Sequence, residues 1–148
     1  LLEGSKEYGL KRPDVSLIAA TTLPTGSSAF GENKLQPGVK LCLAWDLAER
    51  LALSANANYD RASEGGERFN QFSASASLGY QLNDKTGSFL EVFGFFPGSN
   101  DGPNTKYLDA GLTYLLNDDF QLDARAGIGL NNGPGPDYFL GAGAARRW

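Results

Sequence analysis

The stretch Phe120-Gln121-Leu122-Asp123-Ala124-Arg125-Ala126-Gly127-Ile128-Gly129-Leu130 decides the fold. Its even positions are Phe, Leu, Ala, Ala, Ile and Leu, and its odd positions are Gln, Asp, Arg, Gly and Gly. A period of two over this length belongs to a β-strand whose two faces meet different surroundings. Residues 51–60 repeat it: Leu51, Leu53, Ala55, Ala57 and Tyr59 against Ala52, Ser54, Asn56, Asn58 and Asp60. So do residues 71–82, with Phe72, Ala74, Ala76, Leu78, Tyr80 and Leu82 against Gln71, Ser73, Ser75, Ser77, Gly79 and Gln81. Val39, Leu41, Leu43, Trp45 and Leu47 form one face of a further strand, and Lys40, Cys42, Ala44 and Asp46 the other.

Working outward, residues 15–23, 108–116 and 138–148 alternate less cleanly, and residues 89–96 are apolar on both faces except at Glu91. The total is about eight strands of roughly ten residues, longer than the usual 5–6 and suited to a tilted membrane-spanning strand. Short hairpin turns are expected at Ala48-Glu49-Arg50, Asn83-Asp84-Lys85 and Asn117-Asp118-Asp119. Longer loops, mostly rich in Gly, Pro, Ser and Asn, are expected at 24–37, 61–68, 97–105 and 131–137. In an up-and-down meander this gathers the short turns at one end and the loops at the other.

Composition narrows the function. A chain of 148 residues suits one domain, 1–148, with 1–12 as a lead-in. Thirteen Lys+Arg against seventeen Asp+Glu give a net charge of −4, which offers no basic field for nucleic acid. There is no His and only one Cys, so the commonest general base, the commonest metal ligand and a multi-cysteine zinc site are missing. Ser73, Ser75 and Ser77 have no His to activate them. The run Asn131-Asn132-Gly133-Pro134-Gly135-Pro136 reads as a loop with no helix after it, not as a phosphate cradle. These features predict a non-enzyme with no metal, cofactor or nucleic-acid partner. Apolar stretches such as 15–23 fall short of the ~20 residues of a helical span, and residues 1–6 do not resemble a signal peptide. Glycine, at 19 residues, is nearly twice its usual share of roughly 7%.

Alternation alone does not say which face meets which solvent. A soluble lipocalin-like barrel would turn the apolar face inward; a membrane barrel turns it outward. The polar face here is mostly Ser, Ala, Gly, Asn and Gln, poorer in charge than a soluble surface. Aromatics on the apolar face fall near strand ends: Trp45, Tyr80, Tyr114, Phe120 and Trp148 by the turns, and Tyr59, Phe96 and Tyr138 by the loops. Two such belts are where amphipathic rings meet headgroups. The expected architecture is therefore an all-β, antiparallel up-and-down transmembrane β-barrel, with outer-membrane lipid as its partner.

Several segments also resemble an outer-membrane transporter family named for a "MetA pathway of phenol degradation". They are Arg12-Pro13-Asp14-Val15-Ser16-Leu17 leading to Thr22-Leu23-Pro24-Thr25-Gly26, Trp45-Asp46-Leu47-Ala48-Glu49-Arg50-Leu51, Asp109-Ala110-Gly111-Leu112-Thr113-Tyr114-Leu115-Leu116, residues 121–130, and Tyr138-Phe139-Leu140-Gly141-Ala142-Gly143. The resemblance implies a barrel in the Gram-negative outer membrane that passes aromatic or other small hydrophobic compounds. It also implies longer relatives, with a signal peptide and further strands upstream. On that basis the chain is either the C-terminal part of a larger barrel or a shortened relative that closes with eight strands. If first and last strands do not pair, another chain or a further segment completes the wall. Trp148 matches the family's terminal aromatic, whereas Arg146 stands where a second aromatic is usual.

With the polar face inward, the lumen is expected to be lined by Lys40, Asp46, Asn56, Asn58, Asp60, Gln71, Glu91, Asp109, Asp123 and Arg125, with Arg147 as a further candidate. Pairing Leu116 with Phe120 would set Gly111 opposite Arg125 and Asp109 on the diagonal, within reach of a long side chain. Such a pair reads either as a charged constriction or as a structural ion pair filling a narrow interior. Two functions follow: a pore or transporter for small, hydrophobic or aromatic compounds, or a structural or adhesive barrel with a plugged lumen and interacting loops.

Overall fold

The computed structural model describes residues 2–25, 34–64, 67–98 and 103–147. Eight strands follow one another: β1 (Asp14–Thr22), β2 (Gln36–Ala48), β3 (Leu51–Glu64), β4 (Glu67–Asn83), β5 (Thr86–Pro97), β6 (Thr105–Asn117), β7 (Phe120–Gly129) and β8 (Tyr138–Arg146). They form one antiparallel sheet in the order β1 to β8, and no helix occurs among the described residues. The all-β up-and-down architecture expected from the alternation is what the chain adopts.

Period-two sequences stay in register because a one-residue slip would exchange the two faces. The ladders keep every alternating set in phase. One row runs Cys42–Asn56–Ser75–Phe93–Tyr107–Gly129, and the adjacent apolar row runs Leu41–Ala57–Ala74. The sheet thus has one polar face, called inner below, and one apolar face, called outer.

Three hairpins share one construction. The turns Glu49-Arg50, Asp84-Lys85 and Asp118-Asp119 are flanked by the pairs Ala48–Leu51, Asn83–Thr86 and Asn117–Phe120. Before each, one extra residue interrupts the ladder: Leu47, Leu82 and Leu116. Phe120 therefore pairs with Asn117 and not with Leu116, while the bulge keeps Gly111 opposite Arg125 as expected. Such bulges raise local twist. Asparagine closes two of the turns: Asn83 Oδ1 accepts from the Lys85 and Thr86 amides, both at 3.0 Å, and Asn117 Oδ1 accepts from the Asp119 amide at 3.0 Å.

The other end departs from expectation at one place. Residues 61–64 and 67–68, expected in a loop, continue the β3–β4 ladder through Arg61–Asn70, Ser63–Arg68 and Glu64–Glu67. Their polar composition suggested a loop, yet a hairpin leaving the apolar zone can extend with polar side chains on both faces.

The lead-in folds back on β1 and β2. Leu2 and Val15 exchange two backbone hydrogen bonds at 2.7 and 2.8 Å, and the Trp45 indole donates to the Lys11 carbonyl at 2.9 Å. Among the described residues β1 pairs only with β2 along its length, and β8 only with β7. The first and last strands thus form no ladder with each other.

Candidate functional site

The inner face has two chemically distinct halves. Over β3 and β4 it is amide and hydroxyl: Asn56 Nδ2 donates to Ser75 Oγ at 3.2 Å, and Asn58 Nδ2 donates to Ser73 Oγ at 2.9 Å. Each pair is directly cross-strand, where short polar side chains meet. The Asn58 carbonyl oxygen is buried without a hydrogen-bond partner.

Over β5 to β8 the face is aromatic and charged. Phe93 stacks on Tyr107 with centroids 5.1 Å apart, and Phe139 meets both edge-on at 6.2 and 5.9 Å. Phe95 stands at 88° to Phe93, at 6.1 Å. Glycine makes room for these rings. A Cβ on Gly111 would overlap the Phe89 ring, and one on Gly127 would overlap Phe139, so both rings lie across the neighbouring strand.

Within this half the carboxylates of Glu91 and Asp109 are directly opposite each other, a repulsive placement unless a cation intervenes. Arg125 supplies it. Its guanidinium is 3.6 Å from Asp109 Oδ2 and lies over the Phe139 ring at 5.4 Å. Asp109 is completely buried, whereas about half of the Arg125 side chain is exposed, 52%. The diagonal pair expected from the register is thus present. Tyr107 and Asp109 are among the most buried side chains described, while outer-face residues such as Leu140, at 82%, are largely exposed.

Two cavities open on the inner face. One of about 470 Å³ lies at the short-turn mouth, with Asp46, Gln81, Phe89 and Thr113 in its wall. The other, about 200 Å³, is bounded by Asn58, Ser73, Ser75, Glu91, Phe93, Phe95 and Arg125. It brings together β3, β4, β5 and β7, so the sheet curls enough for Arg125 and Asn58 to border one recess.

Register places the other expected lining residues on the same face: Lys40 opposite Asn58, Asp46 opposite Ala52, Asp60 opposite Gln71, and Asp123 opposite Gly143. They are spread over the sheet and do not join the central cluster. Arg147 instead lies beyond β8, where it donates to the Asp118 carbonyl and pairs with Asp119 at 3.5 Å. On the outer face Tyr59, Phe72 and Phe96 form one cross-strand row at the loop end, with Tyr59 and Phe72 5.1 Å apart. Tyr138 is 75% exposed near the same end, opposite Ile128. Trp45, Tyr80, Tyr114 and Phe120 fall near the short turns. Trp148 lies outside the described residues.

The inner aromatic cluster was not singled out from sequence. Phe139 is in phase with Gly141 and Gly143, and Phe93 with Glu91, which was the available signal.

A family profile described as "Putative MetA-pathway of phenol degradation" matches residues 7–148. No curated protein and no solved structure matches the chain.

Proposed function

The chain belongs to this phenol-degradation family, and on that premise we propose that it forms the wall of an outer-membrane pore that passes small hydrophobic or aromatic compounds in a Gram-negative bacterium. The observation that carries the reading is the opposition of the two faces. The outer face exposes Leu17, Leu78, Leu90, Leu112, Leu122, Ile128 and Leu140, while the inner face gathers the amides of Asn56 and Asn58 and the charges of Glu91, Asp109 and Arg125. Soluble monomers rarely expose apolar patches beyond a few hundred Å². Lipid covers such a face at no cost.

The aromatic spacing supports the same placement. Phe72 and Tyr80 on β4 are eight residues apart, about 27 Å along a strand and about 20 Å after the usual 35–45° tilt. That approaches the ~25 Å apolar band of outer-membrane barrels. In hydrocarbon every backbone amide and carbonyl must be paired. The reading therefore requires strands from another chain or a further segment along β1 and β8. In this proposal the protein is not an enzyme and needs no cofactor; its residues act by shape, charge and hydrogen bonding.

The test is conductance across planar bilayers. A steady ionic current that changes in size or ion preference with Arg125→Ala is the expected result. A protein that inserts, shows heat-dependent gel mobility and carries no current would instead be a plugged structural barrel. One that stays monomeric without detergent would overturn the membrane reading.

A further inference from the structure

Resting on the membrane reading, we propose that the loop end of the outer face, at Arg61 and Arg68, is a docking site for the phosphate groups of anionic lipids in the outer leaflet. Three features of the face point to that partner.

Charge comes first. The chain is acidic, with a net charge of −4, yet the register sorts its charges by sign. Among the described residues, every Asp and Glu on a strand falls in the inner phase, from Asp14 opposite Ala44 to Asp123 opposite Gly143. The outer phase carries cations alone: Arg61, Arg68 and Lys106 toward the loops, and Arg146 toward the turns. A soluble surface intersperses both signs. Basic side chains gathered at one membrane surface attract anionic headgroups.

Height is the second feature. Arg61 lies two residues beyond Tyr59, and Arg68 lies four residues from Phe72 toward the loop, both in phase with the ring row. Those spacings are about 7 and 14 Å along a strand, or about 5 and 10 Å above the rings after the usual 35–45° tilt. The polar layer adds roughly 5–8 Å to each side of the hydrocarbon core. Arg61 therefore stands within that layer and Arg68 at its outer margin.

Orientation is the third. Asn70 Oδ1 accepts from Arg61 Nη1 at 2.5 Å and from the Tyr59 hydroxyl at 3.0 Å. This contact fixes the Arg61 guanidinium beside the ring row and uses one of its five donors. Arg68, which is exposed, is diagonal to Arg61 across the β3–β4 ladder. Long side chains meet across such a diagonal, so one phosphate can accept from both, in the paired geometry that guanidinium groups favour.

The experiment is native mass spectrometry of the full chain in non-ionic detergent, with diphosphoryl lipid A, its dephosphorylated form and inorganic phosphate as probes. Lipid A is expected to bind about tenfold more tightly than the dephosphorylated form, as one charge-assisted hydrogen bond would give. Arg68→Gln, beyond the apolar zone, should remove most of that preference. Arg146→Gln removes the same charge at the other end of the face and should leave the preference intact. Equal retention of the two lipids by the unaltered protein overturns the proposal. So do equal losses in the two variants, which would mark a general charge effect. Displacement of lipid A by equimolar inorganic phosphate would mark a site for free anions and also overturns it. Conductance separates this inference from the pore reading. Current with equal retention of both lipids removes the headgroup site and leaves the pore; phosphate-dependent retention without current removes the pore and leaves the site.

Discussion

The Arg125 guanidinium reaches diagonally across the β6–β7 ladder to lie 3.6 Å from the buried carboxylate of Asp109, while Gly111 occupies the position directly opposite Arg125. The space that a side chain would take there is filled by the Phe89 ring. Arg125→Ala removes the cation from a fully buried carboxylate. It is expected to destabilise the protein by about 1–3 kcal/mol. Adding Asp109→Asn should restore part of that loss, since the remaining group is then neutral. Urea titrations of the two single variants and the double variant in micelles give the coupling, and strict additivity would argue against the pair.

Glycine at position 127 makes room for an aromatic ring, because a Cβ there would run into Phe139. Gly127→Ala is expected to cost about 1–3 kcal/mol through overpacking. Phe139→Leu in the same chain should relieve part of it, because the added Cβ would also meet Asp109 Cβ at 2.7 Å. Thermal unfolding of the three variants checks this, and no relief in the double variant would contradict the packing seen here.

Cys42 is the only cysteine, and its neighbours across the inner face are Ser16 and Asn56. In reconstituted vesicles it should react with a small charged methanethiosulfonate reagent that enters from water. Leu43→Cys, placed on the outer face in a Cys42→Ser background, should resist the same reagent. Mass spectrometry of the labelled protein reads both. Reversal of the pattern would mean that the apolar face is the one turned to water.

Asn83 holds two backbone amides of the Asp84-Lys85 turn. Asn83→Ala is expected to cost about 1 kcal/mol or somewhat more, and Asn83→Asp, which keeps the accepting oxygen, much less. Unfolding midpoints of the two variants test this. Equal losses would show that the side chain does not hold the turn.

Much of this was legible in the sequence, and the reason is geometric. Strict alternation at 120–130, 71–82 and 51–60 leaves one register that keeps both faces consistent, so the Gly111–Arg125 pairing and the Asp109 diagonal followed. The extension of β3 and β4 past Arg61 was hidden because polar residues outside an apolar zone carry no face signal. The inner aromatic cluster was hidden for the opposite reason. β5 is apolar on both faces, so the phase with Glu91 was the one sequence signal that set Phe93 and Phe95 on the inner side.

The strand order β1 to β8 has a kinetic consequence. Every ladder joins strands adjacent in the chain, so each can form by closing a short loop. Turn carbonyls then link successive hairpins: Arg50 accepts from Gln81, Lys85 from Leu115, and Asp119 from Arg147. Folding can therefore advance as a zipper from one hairpin to the next, at the low contact order that favours speed. Sealing the edges of β1 and β8 is the step without a local template, and assembly of the complete wall would wait on it.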